Sequence, residues 1–276
     1  MTGTVRLNFS SVHIRVQGMT RESADRMLDE WRPFVTDAAA EPFLNLQVSF
    51  VDGRVDPGPF RPKLMSSAFE SDAARFSMSG GEVEVDGTGR AALTLARGLG
   101  TREYFTLMNL LRAALAWRLP QRGAALLHAA GIVVERGAFL LVGSEGSGKS
   151  TWAALGERAG ARVLSDDLVL VDGGGALLEA LGSPFRSTHR AEYRPGRWPV
   201  RAILFPRHGD SPAWTPCDGM LARARLAANL PFVSSAIERD PRVAAVVERL
   251  ATAVPCRELT FGMDPAFVDL LRSTPS

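Results

Sequence analysis

Ala138-Phe139-Leu140-Leu141-Val142-Gly143-Ser144-Glu145-Gly146-Ser147-Gly148-Lys149-Ser150-Thr151 is the stretch from which the fold is read. An apolar run long enough for one buried strand feeds a glycine-rich turn, and the turn ends in Lys-Ser before a helix-compatible segment. The spacing is G-x-x-x-x-G-K-S. Glycines allow backbone to wrap closely round a polyphosphate, consecutive N–H groups point inward, and a helix N-terminus adds its positive end. On this reading Gly143, Ser144, Glu145, Gly146, Ser147, Gly148, Lys149, Ser150 and Thr151 form a nucleotide cradle. Lys149 would reach the β- and γ-phosphates, and the Ser150 hydroxyl would sit on Mg²⁺. The chain has only two lysines, Lys63 and Lys149, against thirty arginines. A lysine where a slim point-charge donor is wanted therefore stands out from the composition.

At 276 residues with 46% hydrophobic content, the chain is expected to be globular, with one large or two modest domains. A net charge of +2 and no basic run argue against a nucleic-acid or membrane-surface partner. Cys217 and Cys256 make neither a metal spacing nor a disulfide framework, so reduced thiols and a cytoplasmic location are expected. The N-terminal residues lack the apolar core of a signal peptide, and no apolar run approaches the ~18 residues of a membrane span.

Residues 1–120 read as a smaller, β-rich α+β domain. Alternation at 5–9 and 12–16 predicts two half-buried strands, and a helix from about Thr20 to Arg32 follows, stopped by Pro33. Further strands are expected at 44–51, 74–78, 83–85 and 91–96, with 52–63 as a loop. A long helix over 102–119 closes at Pro120. This half shows no catalytic constellation, although it could recruit a substrate.

Residues 121–276 read as an α/β domain. Strands are expected at 124–129, 132–134 and 139–142, then a helix over 152–159. Arg162-Val163-Leu164-Ser165-Asp166-Asp167 is a short apolar strand ending in two acids. One helix beyond a phosphate cradle, such carboxylates can hold Mg²⁺ or its waters and take a proton from a hydroxyl. Taken alone, His128 is a buried strand histidine, and His189 and His208 are surface residues. Helices at 218–229 and 241–253 and a last one around Phe267, Leu270 and Leu271 supply core faces.

The segments Leu127-His128-Ala129-Ala130-Gly131, the turn at 143–150 and Leu164-Ser165-Asp166-Asp167 together resemble the catalytic domain of bacterial HPr kinase/phosphorylase. They are closer still to the HPr-kinase-like proteins often encoded beside peptide-modification systems. The resemblance extends to Ile203-Leu204-Phe205-Pro206-Arg207 and Val254-Pro255-Cys256-Arg257-Glu258-Leu259, and so covers about residues 122–272. It implies a P-loop fold of the HPr kinase/PEP carboxykinase type and transfer of the γ-phosphate of ATP to a hydroxyl. The acceptor would be a Ser or Thr of a peptide or protein, or a small molecule. By the same resemblance Asp167 is the general base, Asp166 a metal or water-shell contact, and His128 a neighbour of the transferable phosphate. The glycine-rich, Glu-containing signature that follows the acid pair in HPr kinases has no counterpart, which argues against HPr as the substrate. An Arg-rich stretch stands there instead. Arg186 in it, and Arg207 beyond it, are candidate phosphate or substrate contacts. The family's assembly through its catalytic domain leaves room for a homo-oligomer. Two other outcomes stay open: an NTPase without acceptor, and a peptide-binding partner protein stabilised by ATP.

Overall fold

The computed structural model describes residues 3–53, 55, 65–185 and 193–273. The chain is mixed α/β and divides into two compact units, Met1–Gln121 and Arg122–Ser276.

In the first unit the strands are β1 (Gly3–Phe9), β2 (Val12–Met19), β3 (Leu44–Val51), β4 (Met65–Phe69), β5 (Ala73–Met78), β6 (Gly81–Asp86) and β7 (Arg90–Ala96). They form one mixed sheet in the order β1-β2-β3-β7-β6-β5-β4, parallel only at β2–β3 and β3–β7. Alternation such as Val5, Leu7 and Phe9 buried against exposed Thr4 and Arg6 gives every strand but the edge strand β4 one core face. Helix α1 (Arg21–Glu30) makes the crossover between parallel β2 and β3. Thr20 caps it by accepting from Ser23 N at 3.2 Å. Helix α2 (Arg102–Arg118) packs on β5, β6 and β7, and Glu103 near its start accepts from Thr20 and Ser23, tying the two helices together.

The second unit contains β8 (Ala124–Val134), β9 (Gly137–Val142), α3 (Lys149–Arg158), β10 (Arg162–Ser165), β11 (Leu168–Asp172), β12 (Glu179–Leu181) and β13 (Arg197–His208). β14 (Ala213–Pro216), α4 (Gly219–Ala228), α5 (Pro241–Ala253), β15 (Cys256–Phe261) and α6 (Phe267–Arg272) complete it. The strand order is β10-β8-β11-β12-β13-β15-β14, with β9 paired to both β8 and β13. The long strands β8 and β13 therefore each serve two sets of partners. One end of β8 pairs with β11 and the other with β9 and β10, while β13 pairs with β12, β9 and β15 along its length. β9 and β11 are buried at every position, as strands covered on both faces must be.

Two expected strands, 124–129 and 132–134, are one. Gly131 lies mid-strand, where an added Cβ would meet Val169, Leu140 and Leu164 side chains at 3.1–3.3 Å, so this glycine serves packing and not a turn. α3 lies on β8 and β10. Gly156 permits the approach, since a Cβ there would sit 3.1 Å from Ile132. Trp152 of α3 stacks on Phe267 of α6 with centroids 5.5 Å apart, fixing the helix whose first turn follows the glycines.

Candidate active site

The buried strand β9 ends at Val142 and delivers the chain into the glycine-rich turn. Gly146 and Gly148 adopt φ +80° and +92°, a region open to glycine at little cost. Gly143 is required for space: a Cβ would fall 2.5 Å from Ser147 Oγ and 3.1 Å from Pro206. Gly148 is also the N-cap of α3 and supplies no capping side chain, so the first amides of that helix are left for another acceptor. Ser147 Oγ is buried and has no hydrogen-bond partner among the described residues.

Lys149, 6% exposed, folds back over the turn and donates from Nζ to the carbonyls of Gly143 at 2.7 Å and Ser144 at 2.8 Å. It ion-pairs with no described carboxylate. Burial pushes its pKa below the ordinary value; the more distant charges of Asp167, Glu145 and Asp166 pull the other way.

β10 and β11 run along the same edge of β8, and the acids lie between them. The Ser165 hydroxyl sets this junction: it donates to Phe185 O at 2.6 Å and accepts from Asp167 N and Leu168 N, each at 3.1 Å. Asp166, 1% exposed, accepts from the Ser150 hydroxyl at 3.2 Å and the Tyr193 hydroxyl at 3.4 Å. The turn, the first residue pair of α3 and the acid pair are thereby brought together. Asp167 is more open, and its Oδ1 is 3.7 Å from His128 Nε2. Burial lowers the His128 pKa and the Lys149 cation lowers it further, against the pull of Asp167 and Glu145. The imidazole is therefore neutral near neutral pH, and its contact with Asp167 is dipolar.

A cleft of 420 Å³ opens beside the turn, with Gly143, Ser144 and Ser147 on one side and Phe205, Arg225 and Asn229 on the other. Asn229, just past α4, accepts through its carbonyl from His128 N at 2.8 Å, so the cleft reaches the strand that carries His128. No protein-family model matches this chain, and no curated protein matches it.

Arg207 does not stand free for an anion. Its Nη2 is 2.7 Å from Glu258 Oε2, while Arg225 Nη1 takes Glu258 Oε1 at 2.8 Å. The hydrogen bond from Arg225, then that from Arg207, hold the Glu258 carboxyl below the usual carboxylate range. Arg186 and His189 lie outside the described residues. Exposed His208, read as a surface residue, has Cε1 4.0 Å from where a Gly148 Cβ would stand, so it neighbours the start of α3. Tyr193 and Asn229 carried no signal in the sequence, because only tertiary folding brings them to the acids and to His128. Among the described residues no group of three or more His, Cys, Asp or Glu could hold a metal ion by itself. A Mg²⁺ site completed by phosphate oxygens and water needs only one or two protein oxygens, and Ser150 with Asp166 fits that requirement.

Proposed function

We propose that the second unit is a P-loop phosphotransferase of the HPr-kinase-like type, which moves the γ-phosphate of ATP to a hydroxyl of a peptide, protein or small molecule. The observation that carries this reading is Lys149: a buried ammonium held by two carbonyls of a glycine-rich turn, with no carboxylate ion-paired to it among the described residues. Such a cation is costly to bury and favours an arriving anion.

On binding, Lys149 Nζ exchanges the Gly143 and Ser144 carbonyls for phosphate oxygens. The uncapped amides of α3 and the unpartnered Ser147 Oγ supply further donors. Mg²⁺, held by Ser150 and Asp166, would neutralise charge building on the phosphates. Buried Asp166 suits the metal role, because Ser150 and Tyr193 fix its oxygens. Asp167 suits the base: it is the more open acid, and it would take the acceptor's hydroxyl proton on Oδ1 or Oδ2. Neutral His128 beside it can orient the hydroxyl without competing for negative charge. The cleft along Gly143 and Ser144 gives the acceptor its approach.

Turnover of γ-labelled ATP with Mg²⁺, with and without candidate peptides and free serine, tests this for the native chain, Lys149→Ala and Asp167→Asn. Label should reach an acceptor and be lost in both variants. Phosphate release that needs no acceptor would replace the proposal with an NTPase, and ATP binding without turnover would replace it with an ATP-stabilised partner protein.

A further inference from the structure

At the start of β9, the end opposite the glycine-rich turn, the β8–β9 hairpin borders a second cavity of 220 Å³. Its lining holds three arginines, Arg136, Arg201 and Arg272, and one acid, Glu135, over Val134, Phe139 and Leu271. Arg201 is aimed there by two local devices. It is the extra residue of a bulge in β13, since Val200 pairs with Ala138 and Ala202 already with Phe139. Bulges re-aim a side chain. Its stem then crosses Gly137, where an added Cβ would fall 2.3 Å from Arg201 Cγ, so only glycine leaves the path open.

Arg272 is tethered, donating to Asp269 at 2.7 Å and to Ala159 O at 3.1 Å. Arg136 and Arg201 differ from the ion-paired arginines of this unit. Arg122, Arg223 and Arg242 each sit on a carboxylate. Arg136 and Arg201 make no hydrogen bond or ion pair with any described residue, and Glu135, on a left-handed turn at φ +56°, pairs with neither. Three guanidinium groups against the carboxylates of Glu135 and Asp269 leave the concavity with a surplus of one positive charge.

We infer that this cavity is a binding site for a small dianion, either a phosphomonoester or a dicarboxylate. Both present paired oxygens that a guanidinium fork grips with two parallel hydrogen bonds. Val134, Phe139 and Leu271 provide an apolar floor for a short hydrocarbon portion. The site lies one length of β9, about 20 Å at ~3.3 Å per residue, from the glycine-rich turn, and its assignment does not depend on the function proposed above.

Calorimetric titration of the full chain with inorganic phosphate, and separately with succinate, tests the inference against Arg136→Gln, Arg136→Gln/Arg201→Gln and Lys149→Ala. At least one probe should bind. The double variant should weaken that binding by about tenfold or more, the scale of a lost charge-assisted pair, while Lys149→Ala retains it. Arg136 is exposed on a turn, so its single variant keeps the fold and should weaken binding by itself even if the double variant unfolds. Unchanged affinity in Arg136→Gln and the double variant, loss confined to Lys149→Ala, or no binding of either probe would each overturn the site. Which probe binds tells the phosphomonoester from the dicarboxylate.

Discussion

Among the described residues the first unit buries no charged side chain, whereas the second buries Lys149, Asp166, Asp172 and Glu258. Both units have ample apolar cores, so the difference does not reflect packing. Burying a charge costs free energy unless it is paired, and a fold that tolerates four of them must compensate each. Two of the four are closed by arginines: Asp172 by Arg122 at 2.7 Å, and Glu258 between Arg207 and Arg225. Lys149 is held by carbonyls, and Asp166 accepts from the hydroxyls of Ser150 and Tyr193. The lesson is that burial alone does not mark a site. What marks it is a buried charge such as Lys149, held by neutral carbonyls that a ligand could replace.

The sharpest way to break this contrast is at the chemistry. On the proposed function, Lys149→Ala and Asp167→Asn should each lower ATP turnover by ~10²–10⁴-fold with little change in unfolding midpoint, and steady-state kinetics beside urea denaturation would separate the two effects. Phe76→Ala in the first unit should do the reverse. Phe76 is fully buried, so a loss of about 3–5 kcal/mol of stability is expected, read by the same urea curves, with turnover per folded molecule unchanged. Asp172→Ala sharpens the distinction inside the second unit. It removes the carboxylate partner of Arg122, which is partly exposed, and should cost about 1–3 kcal/mol of stability without touching turnover. If Asp172→Ala abolished activity in the folded protein, an arginine-paired buried charge and the carbonyl-held Lys149 could not be told apart in this way.

The smallest effect concerns pH. The folded pKa of His128 lies below its ordinary 6.5, so on acidification the unfolded chain takes up the proton first. Stability therefore falls as pH drops below 6.5, and His128→Gln should flatten that part of a stability–pH profile. The same protonation places a cation beside Asp167, so turnover should decline over the same acid limb.

Much of the scaffold was legible because period and punctuation agreed. β3 spans the expected residues 44–51, and α5 the expected 241–253 behind its proline. Leu168–Asp172, Glu179–Leu181 and Ala213–Pro216 are strands that the sequence pattern does not announce. The first is buried on both faces and so shows no alternation, and the other two are too short to display a period. In the site, Lys149, Ser150 and the acid pair were readable because local sequence spaces them. Ser165 directly precedes the acid pair, yet its part in shaping the acid junction is hidden in the sequence, since Phe185 O, its acceptor, comes from twenty residues further on.

The sharing of β8 between two sets of partners has a consequence for hydrogen exchange. Backbone amides along β8, flanked by β9, β10 and β11, can reach solvent only when the second unit opens as a whole, and should be among its slowest to exchange. The turn at Ser144, Glu145 and Gly146 is exposed and should exchange through local fluctuation. The two halves of the site thus keep different clocks. His128, and the acids laid along its strand, hold their positions for as long as the unit stays folded, while the glycine-rich turn can rearrange around whatever enters it.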